Sequence, residues 1–280
     1  MNILLLGSKG RLGSCYKFFF KQKKINFCEL NNKSILNNQK KFENFLKKKT
    51  KNKNILIINC TGLTDVDICN KNYLLAYKVN VEILDTILDS CKNLKLQTVL
   101  VHFSTDQLYN SFKRKKSCES EINPSNFYSI SKYLGELKVS KLKKHIIIRT
   151  NFFGKSYNKK RVTYSDYLIE NLKKKFLKIP NNIFFNPILI DDLVKMTNIL
   201  IKKKIYGTFN IGSRTYMSKY KFAKYLASIK KLPLKNVKSY KSVYEKNKRP
   251  LFMVMNTSKF ENVTKIQLPT LSESLKKLND

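Results

Sequence analysis

The sequence predicts an α/β protein, a doubly wound parallel sheet followed by a smaller C-terminal α/β unit. Three observations predict it. Short continuous apolar runs recur at Ile3-Leu4-Leu5-Leu6, Ile55-Leu56-Ile57-Ile58, Val99-Leu100-Val101 and Ile146-Ile147-Ile148, the pattern of strands covered on both faces. Stretches with helical spacing lie between these runs, so strand and helix alternate as they do in parallel crossover units. The first run also leads straight into a glycine-spaced turn that opens a helix.

That turn is Gly7-Ser8-Lys9-Gly10-Arg11-Leu12-Gly13, followed by a helix over residues 14–20, and it holds three of the chain's eight glycines. Glycines at this spacing allow a tight turn, bring backbone N–H groups close to a pyrophosphate and let the helix pack on the strand. The helix N-terminus adds positive potential. A dinucleotide is the ligand such a turn predicts. A second strand is expected over 26–29, where Glu29 stands in the place of an acidic acceptor for an adenosine ribose hydroxyl, which favours NADH. Lys33 just beyond suits a 2′-phosphate, so NADPH stays open as well. Residues 31–53 are rich in Asn and Lys and read as exposed, with a short helix over 42–48.

The strand at 55–58 ends in Asn59-Cys60-Thr61-Gly62-Leu63-Thr64, small and polar residues at the strand end where open α/β sheets bind ligands, although a structural turn reads the same way. A helix over 73–91 carries Leu74, Leu75, Val79, Ile83, Leu84, Ile87 and Leu88 on one face. Asn80 within it reads as a core amide satisfied by backbone. The strand at 98–103 carries Ser104-Thr105-Asp106 at its tip, hydroxyls that can polarise a carbonyl as hydride arrives or cap an ordinary turn. An exposed loop over 110–122 follows.

Asn123-Pro124 then leads to a helix from Tyr128 to Glu136, which puts Tyr128 and Lys132 one turn apart on the same face. A free phenol titrates near ~10 and exchanges protons poorly at neutral pH. An ammonium one turn away favours the phenolate and draws the phenol toward neutrality, so the pair can exchange a proton with a carbinol or carbonyl oxygen. The C-terminal third is expected to hold a helix over 164–176, a return toward the sheet over 183–190, a helix over 191–202, and another over 217–226 followed by a lysine-rich stretch.

Composition narrows the rest. The chain has 280 residues, 42% of them apolar, so it can bury a sizeable core despite a net charge of +37. Fifty-six Lys and Arg oppose 19 Asp and Glu, a balance that ordinarily points to nucleic acid. Here the excess is almost all lysine, scattered through helices and loops and accompanied by Asn, Ile, Phe and Tyr, the residues an A/T-rich coding sequence over-supplies. No specific nucleic-acid partner is therefore expected, and an anionic small substrate gains from the same field. The six cysteines lack Cys-x-x-Cys spacing and the two histidines complete no familiar zinc set. No metal is expected, and the cysteines read as reduced thiols. The first strand begins at residue 2 and no apolar stretch reaches about 18 residues, so the expectation is a cytoplasmic protein without membrane insertion.

The ordered set of motifs resembles the extended short-chain dehydrogenase/reductase superfamily, and within it the dTDP-4-dehydrorhamnose reductase-like branch. The resemblance rests on the glycine turn, on Asn59 with Thr64, Val66 and Asp67, on Ser104-Thr105-Asp106-Gln107-Leu108-Tyr109, and on Asn123-Pro124 through Tyr128, Lys132, Gly135 and Glu136. It continues with Arg149-Thr150, Pro187 to Asp192, Gly207 to Gly212, and Arg249-Pro250 leading to Asn256-Thr257-Ser258-Lys259.

It implies a Rossmann-type domain over 1–150, rejoined by 183–212, and a mainly substrate-binding domain over 151–280. It also implies that Tyr128 protonates a developing alkoxide, that Lys132 lowers the phenol's pKa and holds the nicotinamide ribose, and that Thr105 donates to the substrate oxygen. Gly7, Gly10, Arg11, Leu12, Gly13, Glu29, Cys60, Thr61, Gly62 and Ser104 would line NADPH or NADH together with Tyr128 and Lys132. Thr64, Asp106, Gln107, Asn151, Phe152 and Arg249 would meet a nucleotide-sugar. Lys219, Lys221 and Lys224 are further candidates for its diphosphate, with a solvated basic face as the competing reading.

Such proteins reduce a keto group on a nucleotide-linked deoxysugar. The same scaffold also serves nucleotide-sugar epimerases and dehydratases, and non-catalytic dinucleotide-binding regulatory subunits. Oligomeric state is open, with a homodimer compatible. Two departures fall in the substrate pocket: Asn151-Phe152-Phe153-Gly154 where the family usually carries a tryptophan, and Gln107 in place of a tyrosine.

Overall fold

The computed structural model describes residues 2–50, 52–111, 113, 116–158, 160–243 and 249–278. Parts of the 110–122 loop (112, 114 and 115) and of the lysine-rich stretch (244–248) lie outside these. A six-stranded parallel sheet forms from β1 (Asn2–Leu6), β2 (Cys28–Leu30), β3 (Asn54–Asn59), β4 (Gln97–Thr105), β5 (His145–Thr150) and β6 (Gly207–Ile211). Its order is β6-β5-β4-β3-β1-β2. The order reverses between β1 and β3, which puts the crevice at their C-terminal ends, where the glycine turn and Cys60 lie side by side.

Alternation along each strand divides the core in two. Leu5, Leu56, Ile58, Val101, Ile146 and Ile148 join one apolar cluster, while Leu4, Leu6, Ile57, Leu100 and Ile147 join the other. Because side chains alternate with period two, a strand that is apolar at every position feeds both faces. Helices Arg11–Gln22 and Ile190–Lys202 cover the first face through Tyr16, Phe20, Leu193 and Leu200. Helices Gln39–Lys49 and Ile83–Asn93 cover the second through Phe42, Leu46, Leu84 and Ile87.

A third cluster, including Leu168, Phe185, Phe222, Leu226 and Leu271, gives the C-terminal unit its own core. Small strand pairs frame this unit: Phe152–Phe153 with Ile188–Leu189, Leu177–Pro180 with Val237–Tyr240, and Phe184–Phe185 with Met217–Ser218. Residues 190–211 join the sheet, whereas Ile183 and Phe185 pack in the C-terminal core.

The strand expected over 26–29 is Cys28–Leu30 and the helix expected over 164–176 ends at Leu172; three further differences lie nearer the site. The helix expected over 73–91 is interrupted by a π-helical turn at Lys78–Glu82, a common distortion at functional positions, and it carries Asn80 inward. The loop over 110–122 is exposed at Lys113, Lys116, Cys118 and Ser120, as expected, but it is also tied down. Asn110 and Ser117 are buried, Ser117 N donates to Val254 O, and Arg149 Nη1 donates to Glu119 O. The tyrosine helix starts one residue early, at Phe127. Asn126 caps it, accepting from Ser129 N at 2.8 Å, while Ser129 Oγ accepts from Asn126 N at 3.2 Å.

Candidate active site

The glycine turn is built as its spacing requires. Gly7 has φ +76°, a left-handed conformation that glycine tolerates, and its missing Cβ would stand 3.0 Å from the Cys60 backbone. A Cβ on Gly13 would collide with Gly7 O, so the helix seats directly on the turn. No side chain caps the first turn of helix Arg11–Gln22, which leaves its N-terminal potential directed at the crevice. Gly13→Ala is therefore expected to lower stability by about 1–3 kcal/mol through backbone displacement and to weaken dinucleotide binding. Denaturant melts and titration calorimetry check the two effects.

On the far wall of the crevice, β4 ends in Ser104, Thr105 and Asp106, all buried. Ser104 Oγ is buried and makes no hydrogen bond. An orphaned hydroxyl at a ligand-facing strand end calls for a polar group from outside the chain. The uncapped helix, the glycine cradle and this hydroxyl together fit a dinucleotide.

Thr105 Oγ1 accepts from Gln107 N at 3.1 Å and lies 3.3 Å from Asp106 Oδ1, and Asn151 Nδ2 donates to Asp106 Oδ2 at 2.8 Å. Burial pushes Asp106 up to about 6, against the lowering effects of Asn151 and of the Lys219 charge. The folded state thus holds this proton more tightly than the unfolded chain, where an aspartate titrates near 3.8. Its stabilising effect is complete below about pH 4 and is lost as pH rises through about 6. Asp106→Asn should remove that slope and exceed the wild type at neutral pH by up to about 3 kcal/mol, measured by denaturant melts across this range.

Tyr128 projects from helix Phe127–Val139 into the same corner, only 7% exposed, beside Val66, Cys69 and Leu63. Burial pushes its phenol up to about 12, while a hydrogen bond with Thr105 and the Arg11 charge work the other way. This corrects the expectation that Lys132 draws the phenol toward neutrality. The Lys132 amine instead sits 3.4 Å from His102 Nε2, deep in the wall. Its own pKa is pulled down to about 8, by burial first, with Glu136 acting in the opposite sense.

Asn80 closes this end of the site. Its Oδ1 accepts from Leu63 N at 2.8 Å, and its Nδ2 donates to Leu63 O and Ser131 Oγ. As its neighbourhood suggested, it is a core amide satisfied largely by backbone. It also fixes the loop holding Gly62, whose absent Cβ would lie 3.8 Å from Lys132 Nζ.

Glu29 accepts from Lys17 Nζ at 2.7 Å and from Ser8 Oγ. Burial pushes its carboxyl up, but these two partners outweigh burial and hold it below the usual value. Lys33 is exposed. Arg11 reaches across the mouth, with Nη2 donating to Thr64 Oγ1 at 3.2 Å and its guanidinium 6.0 Å from the Phe152 ring. Gln107 Oε1 accepts from Asn126 Nδ2, tying the strand end to the helix cap.

Beyond Tyr128 opens a cavity of about 740 Å³ lined by Asp67, Tyr164, Lys178, Lys219, Tyr240 and Arg249 among others. Lys219 stands 5.6 Å above the Tyr164 ring, and its pKa is pulled down to about 8 by burial and by the neighbouring Arg249 charge. Lys221 and Lys224 do not line this cavity and are exposed. At about 100° per residue they lie roughly 200° and 140° around the helix from Lys219.

The structure brings Gly7, Gly10 and Gly13 together with Cys60 and Thr61 at the turn, Gly62 beside Lys132, Arg11 onto Thr64, and Thr105 onto Tyr128. Lys219 and Arg249 line the cavity, Asn151 meets Asp106, and Arg11 stands over Phe152. Sequence reasoning missed His102 as a member of the site. It had one available signal, a lone imidazole inside an apolar strand that pairs with the strand ending in Asn59. Among the described residues no cluster of His, Cys, Asp and Glu suits a metal, and no helix is long and apolar enough to cross a membrane.

A parallel sheet with its crevice at the order reversal, a glycine turn on β1 and a tyrosine–lysine helix beside the end of β4 define an extended short-chain dehydrogenase/reductase. Residues 1–280 match the family model described as RmlD substrate binding domain, and the chain belongs to that family. Among solved structures it is similar to a dTDP-4-dehydrorhamnose reductase from Clostridium acetobutylicum, with 25% identity and TM-score 0.87, covering 100% of this chain and 99% of that one. A dTDP-4-dehydrorhamnose reductase from Bacillus anthracis, solved in complex with NADP, superposes with TM-score 0.87 at 22% identity over 100% and 99% of the two chains. A UDP-glucose 4-epimerase from Thermus thermophilus shares the fold, with TM-score 0.80 at 12% identity over 99% and 97%. No curated relative matches the chain in sequence.

Proposed function

We propose that this protein reduces a keto group on a nucleotide-linked deoxysugar with NADPH or NADH. The observation that carries this reading is the corner where the hydroxyls of Thr105 and Tyr128 meet at the end of β4, between a glycine turn shaped for a pyrophosphate and a basic cavity. A dinucleotide held by the glycine turn and Ser104 would supply the hydride. Thr105 donates a hydrogen bond to the keto oxygen and polarises it. Tyr128 transfers its phenolic proton to that oxygen as negative charge develops, and a nearly unexposed site keeps bulk water from competing. At about 12 the phenol stays protonated at neutral pH, so it has a proton to give.

Lys219 and Arg249 bind the diphosphate. Neither has an acidic partner among the ion pairs of the described residues, so their charge is available to an anion. Phe152 stands in the region where the family carries a tryptophan. The proposal therefore extends to the substrate class and stops short of a particular sugar.

Purified protein mixed with NADPH or NADH and a panel of dTDP-, UDP- and GDP-linked 4-keto sugars should consume reduced nicotinamide with at least one of them. Turnover of a nucleotide-sugar without net nicotinamide consumption would instead mark an epimerase or dehydratase. Dinucleotide binding with no turnover on any of the panel would mark a regulatory subunit.

A further inference from the structure

The strand register places Asn59 and His102 as partners across β3 and β4, and their side chains continue a hydrogen-bond chain whose direction can be read from its fixed end. Thr61 N donates to Asn59 Oδ1 at 3.0 Å, and Thr61 Oγ1 does so at 2.5 Å. A backbone N–H can only donate, so the atom it meets must be the amide oxygen. The Asn59 amide nitrogen then faces His102 Nδ1 at 3.2 Å, and that ring nitrogen must offer its lone pair. The imidazole proton consequently sits on Nε2, the atom 3.4 Å from Lys132 Nζ.

The opposite tautomer would set Nδ1–H against the Asn59 NH2. Turning that amide over would in turn set its NH2 against Thr61 N–H. An imidazolium meets the same conflict, and burial together with the Lys132 charge already holds His102 well below its ordinary pKa.

An Nε2–H facing a lysine is a hydrogen bond when the lysine is an amine and a donor–donor clash when it is an ammonium. We propose that His102 is a positioning residue for Lys132, holding the neutral amine against the wall of the crevice and turning the ammonium out toward Gly62 and Tyr128. In the present structure the amine lies on the imidazole, 3.4 Å from Nε2. The other titratable groups facing Lys132 are few. Glu136, on the same helix, is held by three Arg149 contacts, and Cys60 and Cys69 approach from β3 and from helix Val66–Lys71, both pushed up by burial and so uncharged. Protonation of Lys132 is thus the event that switches the contact. For its effect on rate, the inference rests on the reductase reading; the hydrogen-bond chain does not.

The chain has two histidines, so nitrogen-15 NMR of the full-length protein reads His102 directly, with His145→Gln assigning the second ring. The expected spectrum shows His102 protonated on Nε2 with a bare Nδ1. Its Nε2 signal shifts with a midpoint near pH 8, where Lys132 titrates, and that shift is lost in Lys132→Met. A proton on Nδ1, an imidazolium at neutral pH, or a titration that survives Lys132→Met overturns the proposal while leaving the reductase reading intact. In the active protein, His102→Gln keeps an N–H facing the lysine and should keep the wild-type pH profile. His102→Phe should move the limb near pH 8 upward by about one unit, the size expected for one lost hydrogen bond to an ionisable group. Identical profiles in all three proteins would also overturn it. If His102→Phe fails to fold, the spectra of the wild type and Lys132→Met decide alone.

Discussion

Replacing Tyr128 by phenylalanine is expected to lower kcat for ketone reduction by about 10²–10⁴-fold, the range a positioned general acid contributes. The ring keeps its packing against Val66 and Cys69, so the fold and the dinucleotide affinity should both persist. The lost hydroxyl is the only group the change removes from the corner it shares with Thr105. Steady-state kinetics on the reactive nucleotide-sugar, paired with calorimetric titration of the dinucleotide, separate the outcomes. A fall in kcat with binding unchanged supports the acid role. Activity within about threefold of the wild type would remove Tyr128 from the chemistry, because a proton donor worth less than about 1 kcal/mol is not one the reaction depends on.

The largest stability effect is expected at Arg149. Its Nε and Nη2 donate to Glu136, with Nη2 at 2.6 Å from Oε2, and its Nη1 donates to Tyr109 OH and Glu119 O. Both members of the ion pair are 4% exposed. Tyr109 OH in turn donates to Asn210 Oδ1 at 2.6 Å, and Asn210 N donates to Glu119 Oε1.

Arg149→Met therefore leaves a buried carboxylate unpaired and should cost about 3–5 kcal/mol, whereas the double change Arg149→Met with Glu136→Leu should recover much of that loss. Chemical denaturation of the two variants checks both values. A double variant no more stable than the single one would show that the network acts chiefly through Tyr109 and Glu119, and so through the loop over 110–122.

The strands and the glycine turn were legible because their signals are local. Apolar runs of three or four residues and a three-residue glycine spacing need no knowledge of the rest of the chain, and the one-turn spacing of Tyr128 and Lys132 carries its own geometry. What could not be read arises from pairing across the fold. The contact of His102 with Asn59 and Lys132 depends on the register of β3 with β4 and on the packing of a helix 30 residues away in sequence. The loop over 110–122 reads as exposed, yet it is also held by Arg149 and by backbone pairing of Ser117 with residues 254–256.

The Tyr128 phenol shows the same limit. Spacing alone suggested a lowered pKa, but in this structure burial governs it and the lysine faces elsewhere. The placement of Lys221 and Lys224 away from the cavity was within reach of helical geometry alone.

The strap formed by residues 117–119 binds the sheet at Arg149 and Asn210 and the C-terminal segment at Met255 and Asn256. Asn186 adds a second rivet, with its side chain joined to Ser213 O and to both backbone groups of Met255. Through these bonds the strap and Asn186 tie the edge of the sheet at β5 and β6 to the segment that follows Arg249, stretches far apart in sequence.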